Sequence, residues 1–161
     1  HCFTTLKNDY SELGIELDVV HHSQFIDELI SDKKIEPTPW MDEDVTFHDP
    51  CYLGRHNDEY DAPRNVIQSV LRDGNLIEME KSKSESFCCG AGGGNMWYEV
   101  KTGDRINQNR VKQAVDTKAK TVAAACNFCN IMLEDGVKTT ENDSNINILD
   151  IAEMVSKGLS K

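Results

Sequence analysis

Five of the six cysteines in this chain follow one spacing, which is the strongest constraint on how the chain can fold. A first cysteine is separated by residues 52–87 from an adjacent pair, and residues 90–125 separate that pair from a C-x2-C group. The five are Cys51, Cys88, Cys89, Cys126 and Cys129. Thiolates from distant segments are needed at one point when they share a metal, so the spacing favours a fold in which three loops converge. The pattern indicates a multi-iron or zinc site.

A glycine-rich run follows the adjacent cysteines directly, with the sequence GAGGG at residues 90–94. Adjacent cysteines rarely form a disulfide with each other, but irregular backbone lets both point into one pocket. Near a metal cluster, glycine lets backbone N–H groups approach the sulfurs without a Cβ in the way. We therefore expect Gly90, Gly92 and Gly93 to contact a cofactor. A dinucleotide fingerprint does not fit, since it would need glycine where Asn95 stands.

Length and charge exclude several classes of protein. The 161 residues suffice for one ordinary core, and 39% hydrophobic with 28% charged residues is typical of a soluble globular protein. The net charge of -11 and the lack of a basic block argue against nucleic acid and anionic membranes as partners. The longest uncharged runs, residues 86–98 and 121–133, are too short to span a bilayer.

Apolar runs alternate with helical patterns along most of the chain. Strands are predicted at 17–20, 45–47, 76–79, 121–125 and 146–149. Helices are predicted through residues 25–30, after Asp61 as an N-cap, and at 104–118, 131–137 and 151–159. This order predicts an α/β fold with an open, mainly parallel sheet flanked by helices.

The cysteines lie where such a fold places its sites. Cys51 follows a predicted strand by a few residues, and Cys126 directly follows another. Ligands in open α/β folds bind outside the carboxyl ends of the strands. Cys129 falls in the first turn of the next predicted helix, where the helix dipole favours a thiolate.

The chemistry of the ligands leaves three uses of the cysteines open. Soft sulfur ligands suit an iron–sulfur cluster or zinc, and zinc needs only four of them. A dithiol oxidoreductase using Cys126 and Cys129 would leave the other three cysteines without a role. His48 and His56 flank Cys51, and each could donate to a cluster sulfur or serve as an ordinary structural histidine.

A partial repeat is present at the N-terminus. Cysteine and leucine recur at the same offset in residues 2–6 and 129–133, and an apolar run enters a helix in both 19–26 and 148–155. We expect residues 1–34 to be the remnant of an earlier copy, 35–43 a linker and 44–161 a complete domain. Cys2 would then be the last cysteine of a missing C-x-x-C, and the chain a fragment of a longer polypeptide.

The three motifs HDPCYLGRH (48–56), SFCCGAGGG (86–94) and ACNFC (125–129) resemble the cysteine-rich CCG domain, and the resemblance covers residues 44–157. That domain is found in the catalytic subunits of heterodisulfide reductases, in the iron–sulfur subunits of glycolate and glycerol-3-phosphate oxidoreductases, and in bacterial electron-transfer-flavoprotein:quinone oxidoreductases. The sequence around the motifs is most similar to large single-chain proteins of the heterodisulfide reductase type.

The resemblance implies a cofactor and its ligands. In the best-understood members five cysteines hold a non-cubane 4Fe-4S cluster, whereas some single-site relatives hold zinc. The ligands implied here are Cys51, Cys88, Cys89, Cys126 and Cys129.

The resemblance also implies partners and a setting. The chain would be an oxidoreductase domain that is not active alone and that works with other iron–sulfur domains of the same polypeptide. Electrons would come from a flavoprotein and leave to a disulfide or to menaquinone. The implied location is the cytoplasm. If the rest of a longer chain is anchored in a membrane, the domain would lie at the cytoplasmic face of that membrane.

Overall fold

Four parallel strands form the sheet at the centre of the molecule, in the order β2-β1-β3-β4. The computed structural model describes residues 1–98, 103–140 and 146–159. The strands are β1 (Val45–His48), β2 (Leu76–Ile77), β3 (Thr121–Ala124) and β4 (Asn147–Asp150). The prediction of an α/β fold with a parallel sheet is confirmed.

The two central strands are buried on both faces. Every residue of β1 and of β3 is buried, and Val45 pairs with Thr121 while His48 pairs with Ala124. Successive side chains of a strand point to opposite faces. Val45 and Phe47 therefore pack on one face, and His48 lies on the other, which also carries Ala124.

Eight α-helices surround the sheet among the described residues, several of them only one turn long. They are α1 (Cys2–Thr4), α2 (Tyr10–Glu12), α3 (His22–Ser31), α4 (Gly54–Asn57), α5 (Asp61–Val70), α6 (Ile106–Asp116), α7 (Asn127–Thr139) and α8 (Ile151–Leu159). A π-helical turn (Thr5–Asp9) joins α1 to α2, and 3-10 turns occupy Lys83–Glu85 and Gly92–Trp97. Each of these helices is too short or too polar to cross a lipid bilayer.

Helices cover both faces of the sheet. Helix α5 lies between α3 and α8 on the first face, where Val66, Ile67 and Val70 are fully buried. Burying one such side chain contributes about 1.5–3 kcal/mol, so this stripe is a main source of stability. On the second face α6 packs against α7, and Gly136 permits the close approach because an added Cβ would lie 2.8 Å from Val111.

The start of α5 differs from the prediction that Asp61 caps it. Tyr60 is the N-cap and Asp61 is the first helical residue. The side chain of Glu59 accepts the backbone N–H of Ala62 instead, at 3.0 Å. The side chain of Glu59 is long enough to reach an N–H of the first turn that has no partner within the helix. Glu59, and not Asp61, therefore provides the side-chain cap.

The predicted strand at residues 17–20 is wrong. These residues carry no strand hydrogen bonds in the structure, and Leu17 and Val20 are about half exposed. An apolar run becomes a strand only beside a partner strand, and none of the described strands pairs with it. Val19 alone of this run packs against the first-face core.

The predicted linker at 35–43 is packed against the domain. Trp40 donates its indole N–H to the carbonyl of Met154 at 3.0 Å, and Met41 is buried and bridges to Leu71. The division into a remnant (1–34), a linker and a domain that ends at residue 161 stays a prediction, and its last two residues lie outside the described part.

Candidate metal centre

All five cysteines of the spaced pattern line one cavity of about 350 Å³. They reach it from three segments of the chain: the turn after β1, the irregular stretch before and after residue 88, and the start of α7. Their thiols are free, and Cys89 and Cys129 are the most deeply buried of the five. The convergence expected from the spacing is therefore what the fold produces.

The topology of the sheet places two of the three segments side by side. Cys51 follows β1, whose chain continues towards β2 at one edge. Cys126 follows β3, whose chain continues towards β4 at the other edge. Loops that leave adjacent parallel strands in opposite directions leave a crevice between them, and ligands bind in such a crevice.

The C-x2-C group lies at a helix N-terminus. Cys126 is the N-cap of α7 and Cys129 is its third residue. The interaction with the Cys129 thiol, followed by the backbone N–H groups of Cys129 and Phe128, lowers the pKa of Cys126 to about 6. A thiol with such a pKa is largely thiolate at neutral pH, which is the form that binds metals.

The five thiols interact in an unbroken series. Cys51 interacts with Cys88, Cys88 with Cys89, Cys89 with Cys129, and Cys129 with Cys126. The neighbouring Cys51 and Cys89 thiols hold the pKa of Cys88 well below its usual range, while the Cys88 contact and burial raise the pKa of Cys51. These contacts favour the thiolate form at Cys88 and at Cys126, which lies at the helix N-terminus.

The glycine run contributes backbone donors and a sharp turn. The N–H of Gly90 donates to the sulfur of Cys88 at 3.2 Å. Gly90 has φ +92°, and an added Cβ would lie 3.1 Å from Ile106, so both the conformation and the space require glycine. Gly92 lines the cavity, and Gly93 is exposed beside it with φ +66°.

The two histidines near Cys51 have different surroundings. His48 is 1% exposed, and one of its ring nitrogens lies with the Cys89 and Cys129 sulfurs in a group whose atoms are all within 4.8 Å of one another. Burial, and then the charge of Arg110, lower the pKa of His48 to about 3. His56 is exposed outside the cavity lining and stacks on the ring of Tyr52, with ring centroids 4.7 Å apart.

A buried polar network, which the sequence analysis missed, anchors the loop before the adjacent cysteines. Asp49 accepts the backbone N–H of Lys83 at 2.8 Å and the hydroxyl of Ser86 donates to the Asp49 carbonyl at 3.2 Å. Arg55 donates to the Ser86 carbonyl. The one signal in the sequence is that Asp49 lies between a buried strand and Cys51, where a charge has to find a partner.

Residues near the N-terminus form another wall of the cavity. Thr4 donates its hydroxyl to the carbonyl of Tyr52, the residue after Cys51, at 2.8 Å. His21 caps α3 through its Nδ1, which accepts the N–H of Ser23 at 3.2 Å, and it also interacts with the backbone of Ala125 next to Cys126. Cys2 is exposed and borders the cavity.

The donor set fits a soft metal centre. Five sulfurs, an N–H from Gly90 and the N-terminus of α7 surround one cavity, and no carboxylate is among its described lining residues. Hard cations such as magnesium prefer oxygen ligands, whereas iron–sulfur clusters and zinc accept thiolates. The residues present therefore suit either of the two centres that the sequence indicates.

Comparison with known families identifies the part of the chain that contains this cavity. The sequence model of the CCG family, described as a cysteine-rich domain, matches residues 45–134, which contain all five cysteines of the cavity. The chain belongs to the CCG family.

The similar proteins are oxidoreductases by name, and one of them is named as iron–sulfur-binding. The chain is 38% identical to the probable iron–sulfur-binding oxidoreductase FadF of Bacillus subtilis, over 99% of this chain and 22% of that protein. It is 39% identical to the EtfAB:quinone oxidoreductase of Syntrophomonas wolfei, over 99% of this chain and 23% of that protein. These two relatives are more than four times as long as the chain.

A third relative is shorter. The chain is 38% identical to one component of the dihydromethanophenazine:CoB–CoM heterodisulfide reductase of Methanosarcina barkeri, over 98% of this chain and 39% of that component. The chain thus spans between about a fifth and two fifths of the length of these relatives.

Proposed function

We propose that this chain is an electron-transferring CCG domain of an iron–sulfur oxidoreductase, and that its five converging cysteines hold a non-cubane 4Fe-4S cluster. The observation that carries the proposal is that five thiols from three segments of the chain, from Cys51 to Cys129, line one cavity. Four thiolates complete a zinc site, so a fifth thiol in the same cavity favours a cluster with several irons.

The residues of the chain would hold the cluster as follows. Cys51, the adjacent Cys88 and Cys89, and Cys126 with Cys129 would be its ligands. Gly90 would keep its N–H on the Cys88 sulfur, and Gly92, which lines the cavity, and Gly93 would bring further backbone close to the cofactor. When bound, a cluster of this kind takes up and releases single electrons.

The protein supplies a setting that favours a bound anionic centre. The N-terminus of α7 stabilises negative charge at Cys126 and Cys129, and the buried guanidinium of Arg110 provides a positive charge behind His48. Apolar and aromatic side chains line the cavity wall opposite, among them Phe3, Leu6 and Phe128. Such a wall excludes water, and solvent exposure is one of the factors that set a cluster potential.

The partners are proposed from the similar proteins. One relative is named for electron-transfer flavoprotein and quinone, and another for a heterodisulfide. We propose that electrons reach this site from a flavoprotein, through further iron–sulfur domains of the same longer polypeptide, and leave to a quinone such as menaquinone or to a disulfide. Residues 1–34 would be the end of a first copy of the domain, because several of them line the cavity that holds the five cysteines of the second copy.

The proposed location is the cytoplasmic side of the membrane. Six free cysteines in one chain suit a compartment that keeps thiols reduced.

Metal analysis of the chain purified without oxygen tests the cluster assignment. After reconstitution with iron and sulfide, we expect about four irons per chain, with iron–sulfur absorption and a paramagnetic signal in one redox state. Cys51→Ala should lose most of the bound iron. The matched control Cys2→Ala should keep it, because Cys2 is exposed at the border of the cavity and is not one of the five spaced cysteines.

Zinc is the competing occupant. One zinc and no iron per chain, after expression with abundant iron and no oxygen, would contradict the proposal and assign a structural or subunit-docking role. His48 would then be a candidate ligand to examine beside Cys89 and Cys129, since one of its ring nitrogens lies near both sulfurs.

A further inference from the structure

Arg110 is a fully buried arginine whose bonding partners are all neutral. It lies on α6 with 0% exposure. Its Nε donates to Nδ1 of His48 at 2.9 Å, and one terminal nitrogen donates to the Lys81 carbonyl at 2.9 Å and to the Gln113 amide oxygen at 2.8 Å. The other terminal nitrogen donates to the Ser86 hydroxyl at 3.2 Å. Burying a guanidinium without a directly bonded carboxylate is costly, so its retention here calls for a role.

The bond between Arg110 and His48 decides which ring nitrogen of the histidine carries the proton. Arginine has five N–H donors and no acceptor. Nδ1 of His48 must therefore offer its lone pair to Arg110, and a doubly protonated ring could not do so. In a neutral imidazole the other nitrogen then carries the hydrogen, so His48 is the Nε2–H tautomer.

His48 lies close to two of the cysteine sulfurs. His48 is the last residue of β1 and lies on the second face of the sheet, the face on which Cys89 and Cys129 are buried. One of its nitrogens is within 4.8 Å of both sulfurs, and Nδ1 is already engaged by Arg110. Because Arg110 occupies Nδ1, Nε2–H is the group that His48 has left to offer to Cys89 and Cys129.

A protonated nitrogen cannot ligate a metal with its lone pair. To bind a metal through Nε2, the neutral ring would have to lose its one N–H proton and become an imidazolate. The alternative is to break the bond with Arg110, so that the proton moves to Nδ1. An N–H pointed at thiolate or sulfide instead donates a hydrogen bond to it, and such bonds help set the potential of a cluster.

We propose that Arg110 is a positioning residue that locks His48 as an Nε2–H donor to the sulfurs of the centre and so keeps His48 out of the ligand set. Because the guanidinium has N–H donors and no acceptor, Arg110 can bond to the ring only when Nδ1 is unprotonated. Ser86 and Lys81 fix the other end of the guanidinium through the loop that leads to Cys88. The same residue therefore orients both the histidine and the approach to the adjacent cysteines.

Nitrogen NMR of the reduced, metal-free chain tests the tautomer without reference to any metal. In protein labelled with ¹⁵N at histidine, long-range ¹H–¹⁵N correlations should show His48 with a protonated Nε2 and an unprotonated Nδ1 from pH 8 to pH 6. A His48 ring with its proton on Nδ1, or with both nitrogens protonated, overturns the proposal.

Cadmium-113 tests the exclusion of His48 from the ligand set. In the chain loaded with ¹¹³Cd, a diamagnetic thiolate-binding ion, we expect scalar coupling to cysteine β-protons and none to the ¹⁵N atoms of His48. Coupling to His48 would make it a ligand and overturn the proposal, whichever metal the protein uses in the cell.

Variants of Arg110 connect the tautomer to the cluster, and this last step alone rests on the proposed function. Arg110→Leu should populate the Nδ1–H tautomer and move the reduction potential of the reconstituted cluster to a more negative value, since it removes a positive charge and loosens an N–H donor. Arg110→Lys should restore most of both properties, because Lys can still donate to Nδ1.

Arg72→Leu is the matched control, since Arg72 is exposed and pairs with Asp42 far from any cysteine of the cavity. It should leave the tautomer and the potential as they are in the unaltered chain. Equal tautomers and potentials in Arg110→Leu and Arg72→Leu would overturn the proposal. If Arg110→Leu does not fold, the NMR of the unaltered chain and of Arg110→Lys still tests the tautomer. If the chain takes up no iron, the proposed function fails, but the tautomer result stands.

Discussion

Arg64 donates hydrogen bonds to both carboxylate oxygens of Asp49, at 2.8 Å and 3.0 Å, in the interior of the protein. Asp49 directly precedes Pro50 and Cys51, and the same carboxylate accepts the backbone N–H of Lys83. Arg64 also donates to Glu78. One ion pair thus joins α5, the turn that carries Cys51 and the loop that leads to the adjacent cysteines.

Breaking this pair should destabilise the metal-free protein strongly. Arg64→Met leaves the buried Asp49 carboxylate without its counter-charge, and we expect a loss of about 3–5 kcal/mol of unfolding free energy. Urea unfolding of the reduced chain, followed by circular dichroism, measures it. Arg72→Met removes an exposed pair with Asp42 and should cost under about 1 kcal/mol. Equal losses of unfolding free energy in the two variants would show that the buried Arg64–Asp49 pair stabilises the protein no more than the exposed pair does.

Gly90 is expected to tolerate no side chain. Gly90→Ala forces a left-handed conformation on alanine and brings a Cβ to 3.1 Å from Ile106, so we expect a loss of about 1–3 kcal/mol and weaker metal binding. Gly94→Ala is the matched control, because Gly94 has φ +78° but nothing within 4 Å of an added Cβ. Unfolding curves and iron content should separate the two. Similar iron content in both variants would mean that the Gly90 contact does not shape the site.

Gly136 should be needed for the contact between α6 and α7. Alanine normally stabilises a helix interior relative to glycine by about 1 kcal/mol. Here the new methyl group would lie 2.8 Å from Val111 and 3.0 Å from the carbonyl of Asn107, so Gly136→Ala should destabilise by about 1–3 kcal/mol instead.

Val111→Ala opens part of the required space, and the double variant should be less destabilised than the sum of the single variants. Thermal and urea unfolding measure all three. Strict additivity would indicate that Val111 does not limit the approach of the helices.

His21 should make the metal-free protein less stable in mild acid. Burial, followed by the charge of His22, lowers the pKa of His21 in the folded protein from 6.5 to about 4. Between these values the unfolded chain binds a proton that the folded chain does not, so lowering the pH from 7 to 4 favours unfolding. Because the ring is partly exposed, we expect this histidine to account for about 1 kcal/mol of the loss.

His21→Gln isolates that contribution from the carboxylates that titrate in the same range. Its unfolding free energy should fall less steeply between pH 7 and 4 than that of the unaltered chain. Parallel pH profiles for the two proteins would contradict the lowered pKa.

The sequence predicted the features that depend on local pattern. Runs of buried residues located β1 and β3 to within a residue, and the spacing of the cysteines led to the point where the loops after these strands meet. Helix α8 was predicted with its observed bounds. Periodicity and strand order suffice for such features, because they depend on burial alone.

The features that the sequence did not predict depend on partners far along the chain. Arg110 meets His48 across 62 residues, and hydropathy assigns any arginine to the surface. Residues 17–20 have the composition of a strand but lack a neighbouring strand among the described residues. Trp97, which follows the glycine run, is 84% exposed, although its size suggests burial.

The unequal support of the five thiols has a consequence for how the centre is filled. Cys51, Cys126 and Cys129 are held in place by strand ends and a helix, whereas Cys88 and Cys89 depend on a stretch with little regular structure. Regular elements place three of the five thiols, and Asp49 holds the loop that leads to the other two, so filling the proposed centre should need only local adjustment near Cys88 and Cys89. Such a site would bind its metal at a smaller entropic cost than one in which the metal has to fold the chain.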